Sequence, residues 1–303
     1  MNTLTARIFA IKRYALHDGP NIRTTIFFKG CPLACQWCHN PEGIDFASKV
    51  VFLAEKCVGC GDCVQCCPEK ALQLNNKGIY RDNEKCTSCA ACVQACPALA
   101  HEAIGKIMSV AEIVAEIKKE LPFIEQSGGG ITCSGGEPLR QPESLLALLE
   151  ACGKLGIHRA VDTSGFAPTQ ILLKVACHTD LFLYDLKHMD SIVHERFTGV
   201  GNELILKNLQ MLSNNGHTIR VRIPLIRAVN DDDKNIRATG AFIARCKGVQ
   251  GIDLLPCHPF ATAKYRKLGL DYAGVKFKAP NREQISRVLE ILKQYIADVN
   301  IGG

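Results

Sequence analysis

The chain has 303 residues, with 36 Lys and Arg against 30 Asp and Glu, 47% hydrophobic residues and 17 cysteines. No apolar run reaches the roughly 20 residues that cross a bilayer, and the N-terminal MNTLTARIFAIKRY is too polar for a secretory signal. No block of Lys and Arg marks a nucleic-acid surface, so membrane and nucleic-acid partners are set aside and a cytoplasmic location is expected. In that compartment so many cysteines argue for bound metal rather than disulfides, and twelve of them lie between Cys31 and Cys96.

Residues 7–15 mix apolar and basic positions and are expected to form a short strand. His17-Asp18-Gly19-Pro20-Asn21 is a turn by composition. Residues 22–29, β-branched and aromatic, form a buried strand that delivers the string GCPLACQWCHNPE at its end. Cys31, Cys35 and Cys38 in this string are spaced C-x3-C-x2-C. Three thiolates on one tight loop can hold three irons of a 4Fe–4S cube. The fourth iron is left open, which is what separates a metal site that does chemistry from a structural one. A structural zinc is the alternative, for which this spacing is unusual.

From 48 to 105 the composition shifts. Cys57, Cys60, Cys63 and Cys67 form C-x2-C-x2-C-x3-C followed by Pro68, and Cys86, Cys89, Cys92 and Cys96 repeat the pattern 29 residues later, followed by Pro97. Cys66 faces Ala95 in the repeat and reads as a spare thiol. A two-zinc insert is the alternative, disfavoured by the closing Cys-Pro in both halves.

After the insert, Ser109 and Glu112 make a capping box for a helix whose apolar face is Val110, Ile113, Val114 and Ile117. A short strand then ends at Gly135-Gly136-Glu137-Pro138. Helices near 141–152, 168–177, 202–214, 232–246 and 281–296 alternate with strands at 157–162, 181–186, 218–223 and 250–255. Asp162-Thr163-Ser164-Gly165, Asp185-Leu186-Lys187 and Pro256-Cys257-His258 stand at three of the strand ends. Repeated βα units argue for a parallel sheet with helices outside, either an incomplete barrel or a flat doubly wound sheet. Cys133, Cys152, Cys177, Cys246 and Cys257 are expected to be simple core cysteines.

The cysteine loop with an aromatic residue before its last cysteine resembles the radical S-adenosylmethionine (SAM) family. With Asp18-Gly19-Pro20 upstream and His39-Asn40-Pro41-Glu42 downstream, it resembles the activating enzymes of glycyl radical enzymes. The repeat resembles a bacterial two-cluster ferredoxin. These resemblances imply an α/β fold, a partial (β/α)6 TIM-like barrel (1–47 and 106–303) with a two-cluster ferredoxin-like domain at 48–105. They imply three 4Fe–4S clusters: Cys31, Cys35 and Cys38 on the open one; Cys57, Cys60, Cys63 and Cys96 on the second; Cys86, Cys89, Cys92 and Cys67 on the third. Eleven thiolates and three cubes would contribute roughly −5, which brings the formal +6 close to neutral.

For SAM, the resemblance implies Gly135, Gly136 and Glu137 on the methionyl part, the carboxylate accepting from its ammonium group. It implies Asp162 and the Asp185-Leu186-Lys187 segment at the same mouth, with Lys187 near the SAM carboxylate. His258 would reach the adenosyl part, and Trp37, Cys38 and His39 would back the adenine. Asp162, Thr163 and Asp185 are a candidate site for a monovalent cation. Asp18 would lie beside the partner's glycyl loop. Asn21 and Ala34 depart from the family pattern, which often has Gly and Arg there. The implied activity is reductive cleavage of SAM to methionine and a 5′-deoxyadenosyl radical. That radical takes hydrogen from a backbone glycine of a glycyl radical lyase, dehydratase or decarboxylase, and ferredoxin or flavodoxin supplies the electron. The rivals are another radical SAM reaction, on a small molecule or peptide, and a non-catalytic iron–sulfur electron carrier.

Overall fold

The computed structural model describes residues 4–76, 78–258 and 261–302. β1 (Thr5–Ala15) and β2 (Arg23–Phe28) flank the turn at residues 17–21. The insert follows as β3 (Lys49–Phe52), α1 (Asp62–Gln65), β4 (Leu72–Asn75), β5 (Gly78–Arg81), α2 (Ala91–Ala95) and β6 (His101–Ile104). The chain returns through β7 (Lys106–Ser109), α3 (Val110–Lys118), α4 (Leu121–Ser127) and β8 (Gly130–Gly135). Then come α5 (Pro142–Lys154), β9 (His158–Thr163), α6 (Thr169–Ala176), β10 (Leu181–Asp185), α7 (Ser191–Thr198) and α8 (Glu203–Asn214). β11 (Ile219–Leu225), α9 (Asp233–Ile243), β12 (Val249–Pro256), α10 (Thr262–Leu268), α11 (Arg282–Lys293) and β13 (Val299–Ile301) complete it.

One sheet runs β13-β12-β11-β10-β9-β8-β2-β1-β7. Every pairing from β2 to β13 is parallel, and β1 is antiparallel to both β2 and β7. The mostly parallel α/β sheet expected from the alternation is therefore present, and it is open, because β13 and β7 do not pair. One face of the strands packs under the helices: Ile26, Ile131, Val161, Phe182, Val221 and Ile252 are buried with Ile113, Leu148, Leu172, Leu209, Ile236 and Val288. Each such side chain contributes about 1.5–3 kcal/mol. The opposite face at the strand ends is left for polar residues, and that parity builds the site. The Ser109 cap forms as expected, its hydroxyl accepting from the Glu112 N–H at 3.2 Å while the Glu112 carboxylate accepts from the Ser109 N–H at 2.7 Å. Of the scattered cysteines, Cys177 departs from expectation: it ends α6 on the surface, where its thiol donates to the Leu173 carbonyl.

Within the insert β3 pairs with β6 and β4 with β5, both antiparallel. The 29-residue repeat persists in the backbone. The Ala71 N–H donates to Cys67 Sγ at 3.3 Å and the Ala100 N–H to Cys96 Sγ at 3.2 Å. Gly59 has φ +72°, and its counterpart Ser88 keeps the left-handed conformation at +55°. An L residue there costs about 1–2 kcal/mol, and a side chain added at Gly59 meets open space. Ser88→Gly is therefore expected to stabilise the folded protein by about 1 kcal/mol, read as a higher urea midpoint. An unchanged or lower midpoint would contradict this strain assignment.

Candidate functional site

A cavity of about 350 Å³ lies at the C-terminal ends of the parallel strands, within the usual range for ligand pockets. Side chains alternate along a strand, so one parity of each strand faces it: Phe27, Ser134, Asp162, Asp185, Arg222 and Leu255 from β2, β8, β9, β10, β11 and β12. The loop after β2 closes the wall with Cys31, Cys35, Trp37, Cys38 and His39, and Asp18 enters from the turn before β2. Residues 31–39 and His258 line one cavity although they follow the first and last of these six strands.

Backbone bonds fix the cysteine loop. The Gly30 N–H donates to the Gly43 carbonyl at 2.7 Å, Cys31 to Ile44 at 3.0 Å, Ala34 to Thr198 at 2.7 Å and Gln36 to Phe197 at 3.0 Å. The end of α7 thus holds the middle of the loop. Lys29, buried, closes its base by donating to the Glu42 carbonyl at 2.6 Å, and Lys264 of α10 reaches Asn40 and Glu42 at 3.2 and 3.3 Å. From below, the Gly136 and Glu137 N–H groups donate to the Phe28 and Gly30 carbonyls, each at 2.8 Å. A Cβ on Gly136 would overlap the Gly43 and Gly30 carbonyl oxygens. Gly136→Ala is therefore expected to displace the cysteine loop and remove about four irons per chain from reconstituted protein; full iron loading would contradict this.

Burial pushes the Cys31 and Cys35 thiols up to about 12 and the Cys38 thiol up to about 11. They stay protonated at neutral pH until a metal replaces the protons. Burial opposes the Lys187 ammonium, but Asp185 at 2.6 Å outweighs it and holds the pKa above its ordinary value. The Asn40 N–H donates to Cys38 Sγ at 3.4 Å. Three thiols on one wall, a fixed cation beside them and free volume opposite suit a cluster with one open iron and a co-substrate.

His39 and His258 stack, with ring centroids 4.3 Å apart. Trp37 is buried between Phe197 and Phe277, at 6.0 and 5.9 Å. Gly135 and Gly136 line the cavity, but the Glu137 side chain does not. Glu137 is buried, and its Oε1 accepts from the Leu139 N–H (3.2 Å) and Thr163 Oγ1 (2.6 Å). Its Oε2 accepts from the Ser164 N–H (2.9 Å) and Ser164 Oγ (2.6 Å). The Glu137 carboxylate, expected to accept from an ammonium group, has both oxygens engaged by Leu139 and by the turn after β9. The Leu186 side chain is likewise in the core rather than on the wall.

The expected cation ligands Asp162, Thr163 and Asp185 all line this cavity, and each has protein partners. The Thr163 hydroxyl donates to Glu137, Asp185 pairs with Lys187, and Asp162 pairs with Arg222 at 3.3 Å and accepts from Ser134 Oγ at 2.7 Å. Among the described residues no three His, Cys, Asp or Glu are grouped to hold a single metal ion.

Arg222 was not singled out by the sequence. Besides pairing with Asp162 it donates to the His17 carbonyl at 3.1 Å, tying the Asp18 turn to the cavity. The alternation of Ile219-Arg220-Val221-Arg222-Ile223 places it inward and was the available signal. Asn21 has φ +62°, a conformation asparagine tolerates better than most residues, which accounts for one departure from the family's glycine.

In the insert, Cys57, Cys60, Cys63 and Cys96 ring one small cavity and Cys67, Cys86, Cys89 and Cys92 another. Cys66 lines neither; its thiol donates to the Cys63 carbonyl.

A family model described as the Radical SAM superfamily matches residues 25–238. The choline trimethylamine-lyase activating enzyme of Oleidesulfovibrio alaskensis is 40% identical over 302 residues, 98% of this chain and 97% of its own. The trans-4-hydroxy-L-proline dehydratase activating enzyme of Clostridioides difficile is 41% identical over 298 residues, 98% of this chain and 99% of its own. A crystal structure of a domain of pyruvate-formate lyase-activating enzyme from Bacteroides vulgatus matches at 40% identity, covering 58% of this chain and 99% of its own, with a TM-score of 0.50. A radical SAM methyltransferase from Sphaerobacter thermophilus, 15% identical, shares the fold over 98% of this chain and 72% of its own, with a TM-score of 0.53.

Proposed function

The chain belongs to the radical SAM superfamily and, within it, to the activating enzymes of glycyl radical enzymes, and from that premise we propose a role for each part of the site. The protein is an oxidoreductase that uses SAM and a 4Fe–4S cluster, and its protein substrate is a glycyl radical enzyme. Relatives of near-equal identity activate a choline trimethylamine-lyase and a trans-4-hydroxy-L-proline dehydratase, so the partner is a glycyl radical lyase, dehydratase or decarboxylase.

Cys31, Cys35 and Cys38 hold the cluster. Bound there, a 4Fe–4S cube would supply the electron for reductive cleavage of SAM to methionine and the 5′-deoxyadenosyl radical that takes hydrogen from the partner's glycine. Lys187, fixed by Asp185, meets the SAM carboxylate, and the Gly135-Gly136 backbone edge carries the methionyl part. His258, His39 and Trp37 wall the adenosyl part, and Asp162 with Arg222 forms the polar side of the cavity. The protein's share is orientation and electrostatics. The observation that carries this reading is that the three thiols share one cavity with Gly135, Asp162, Lys187 and His258.

The finer architecture is a partial (β/α)6 barrel, 1–47 and 106–303, with a ferredoxin-like insert at 48–105. Its support is the open parallel sheet, the 29-residue backbone repeat and the two crossed cysteine sets. The insert accepts electrons from ferredoxin or flavodoxin. A cytoplasmic location completes the proposal; among the described residues no helix is long and apolar enough to cross a membrane.

Anaerobic incubation with a candidate glycyl radical enzyme, SAM and reductant tests it. The expected result is a glycyl radical signal in electron paramagnetic resonance (EPR). Consumption of SAM with no radical in any candidate partner would move the reaction to a different radical SAM substrate.

A further inference from the structure

The two cysteine sets of the insert have different surroundings. Beside the Cys57, Cys60, Cys63 and Cys96 set, Val58 and Leu99 are 72% and 67% exposed. Every residue around either cavity belongs to the insert, so the difference lies in what adjoins them. The Cys67, Cys86, Cys89 and Cys92 set has a second neighbour. Val50, Arg81, Cys86 and Ser88 line its cavity and also a groove of about 660 Å³, whose opposite wall is Arg266 to Gly269 at the end of α10.

That helix is also a clamp on the open-site loop. Lys264 donates to Asn40 and Glu42 on one side, and Lys267 pairs with Glu102 of β6 at 2.6 Å on the other. Tyr265, buried between them, stacks on Tyr272 with ring centroids 4.4 Å apart. One short helix therefore touches both the loop of Cys31 to Cys38 and the groove that opens on Cys86.

We infer that the Cys67, Cys86, Cys89 and Cys92 set is the inner one, facing the open site across α10, and that the Cys57, Cys60, Cys63 and Cys96 set is the outer one. This rests on the reading that the insert holds two 4Fe–4S clusters. One electron leaves a reduced low-potential carrier, passes from the outer set to the inner set and then to the open site, and ends on SAM; the carrier is oxidised and SAM reduced. Electron tunnelling weakens steeply with distance, so the order decides which cysteine set the open site senses.

The test compares Cys60→Ser and Cys89→Ser holoenzymes by EPR, after full reduction and before SAM is added. The readout is the relaxation and dipolar broadening that a neighbouring reduced cluster imposes on the open-site signal. Broadening is expected to persist in Cys60→Ser and to fall several-fold in Cys89→Ser. The reverse pattern, or equal broadening in both, overturns the order. Should a serine variant lose both insert clusters, Cys57→Ser and Cys86→Ser, which alter another corner of the same two sets, give the same comparison with the same outcomes. Unmodified protein loading about twelve irons, with the pattern reversed, overturns the order alone. Loading of only about four overturns the two-cluster reading together with it.

Discussion

Cys35→Ser is expected to abolish SAM cleavage while leaving about eight irons in the insert. Cys35 is the middle cysteine of the proposed open site and lines the same cavity as the buried Lys187. The neighbouring backbone bonds, Ala34 N–H to Thr198 and Gln36 N–H to Phe197, do not depend on the sulfur. The loop should therefore keep its course, so that loss of activity reports loss of the ligand rather than of the fold. Iron content, visible absorbance and 5′-deoxyadenosine formation are the three readings. Retained cleavage would remove Cys35 from the open site; loss of all iron would mean that the insert does not hold clusters independently of it.

Glu137→Ala is the second large effect, and it separates a structural carboxylate from a SAM ligand. The substitution leaves the Leu139 N–H, the Thr163 hydroxyl and both donors of Ser164 buried without their acceptor. Each buried donor so abandoned costs about 1–3 kcal/mol, and neighbouring losses do not add fully. A total near 4 kcal/mol and a fall in Tm of roughly 10 °C are expected. Burial pushes the Glu137 carboxyl above its ordinary pKa while Ser164, Thr163 and Leu139 oppose that shift, so Glu137→Gln should recover part of the stability by keeping the shape. A Glu137→Ala protein with wild-type Tm and a large rise in the KM for SAM would restore the expectation of direct ammonium binding.

Much of the site was legible because short motifs state it locally. The C-x3-C-x2-C spacing marks three candidate ligands, which the structure puts on one cavity, and the 29-residue repeat pairs each insert cysteine with its counterpart. The βα alternation places Asp162, Asp185 and His258 at strand ends, and the structure puts all three on one cavity. What sequence could not supply was the register between strands. Glu137 reads as a ligand until β8 and β9 are laid side by side, which brings Thr163 and Ser164 onto its oxygens. The same register sends Arg222 to Asp162, a pairing that the motifs do not state. α7 and α10 carry weak apolar periodicity, SIVHERFT and TAKYRKL, and their importance lies in what they hold. The first pins Ala34 and Gln36, and the second pins Asn40 and Glu42.

Anaerobic reconstitution with iron and sulfide, followed by dithionite and SAM, tests the central assignment most directly. About twelve irons per chain, with 5′-deoxyadenosine and methionine formed together, is the predicted result. About eight irons and neither product would mean that Cys31, Cys35 and Cys38 carry no working cluster, and the protein would then be an iron–sulfur electron carrier.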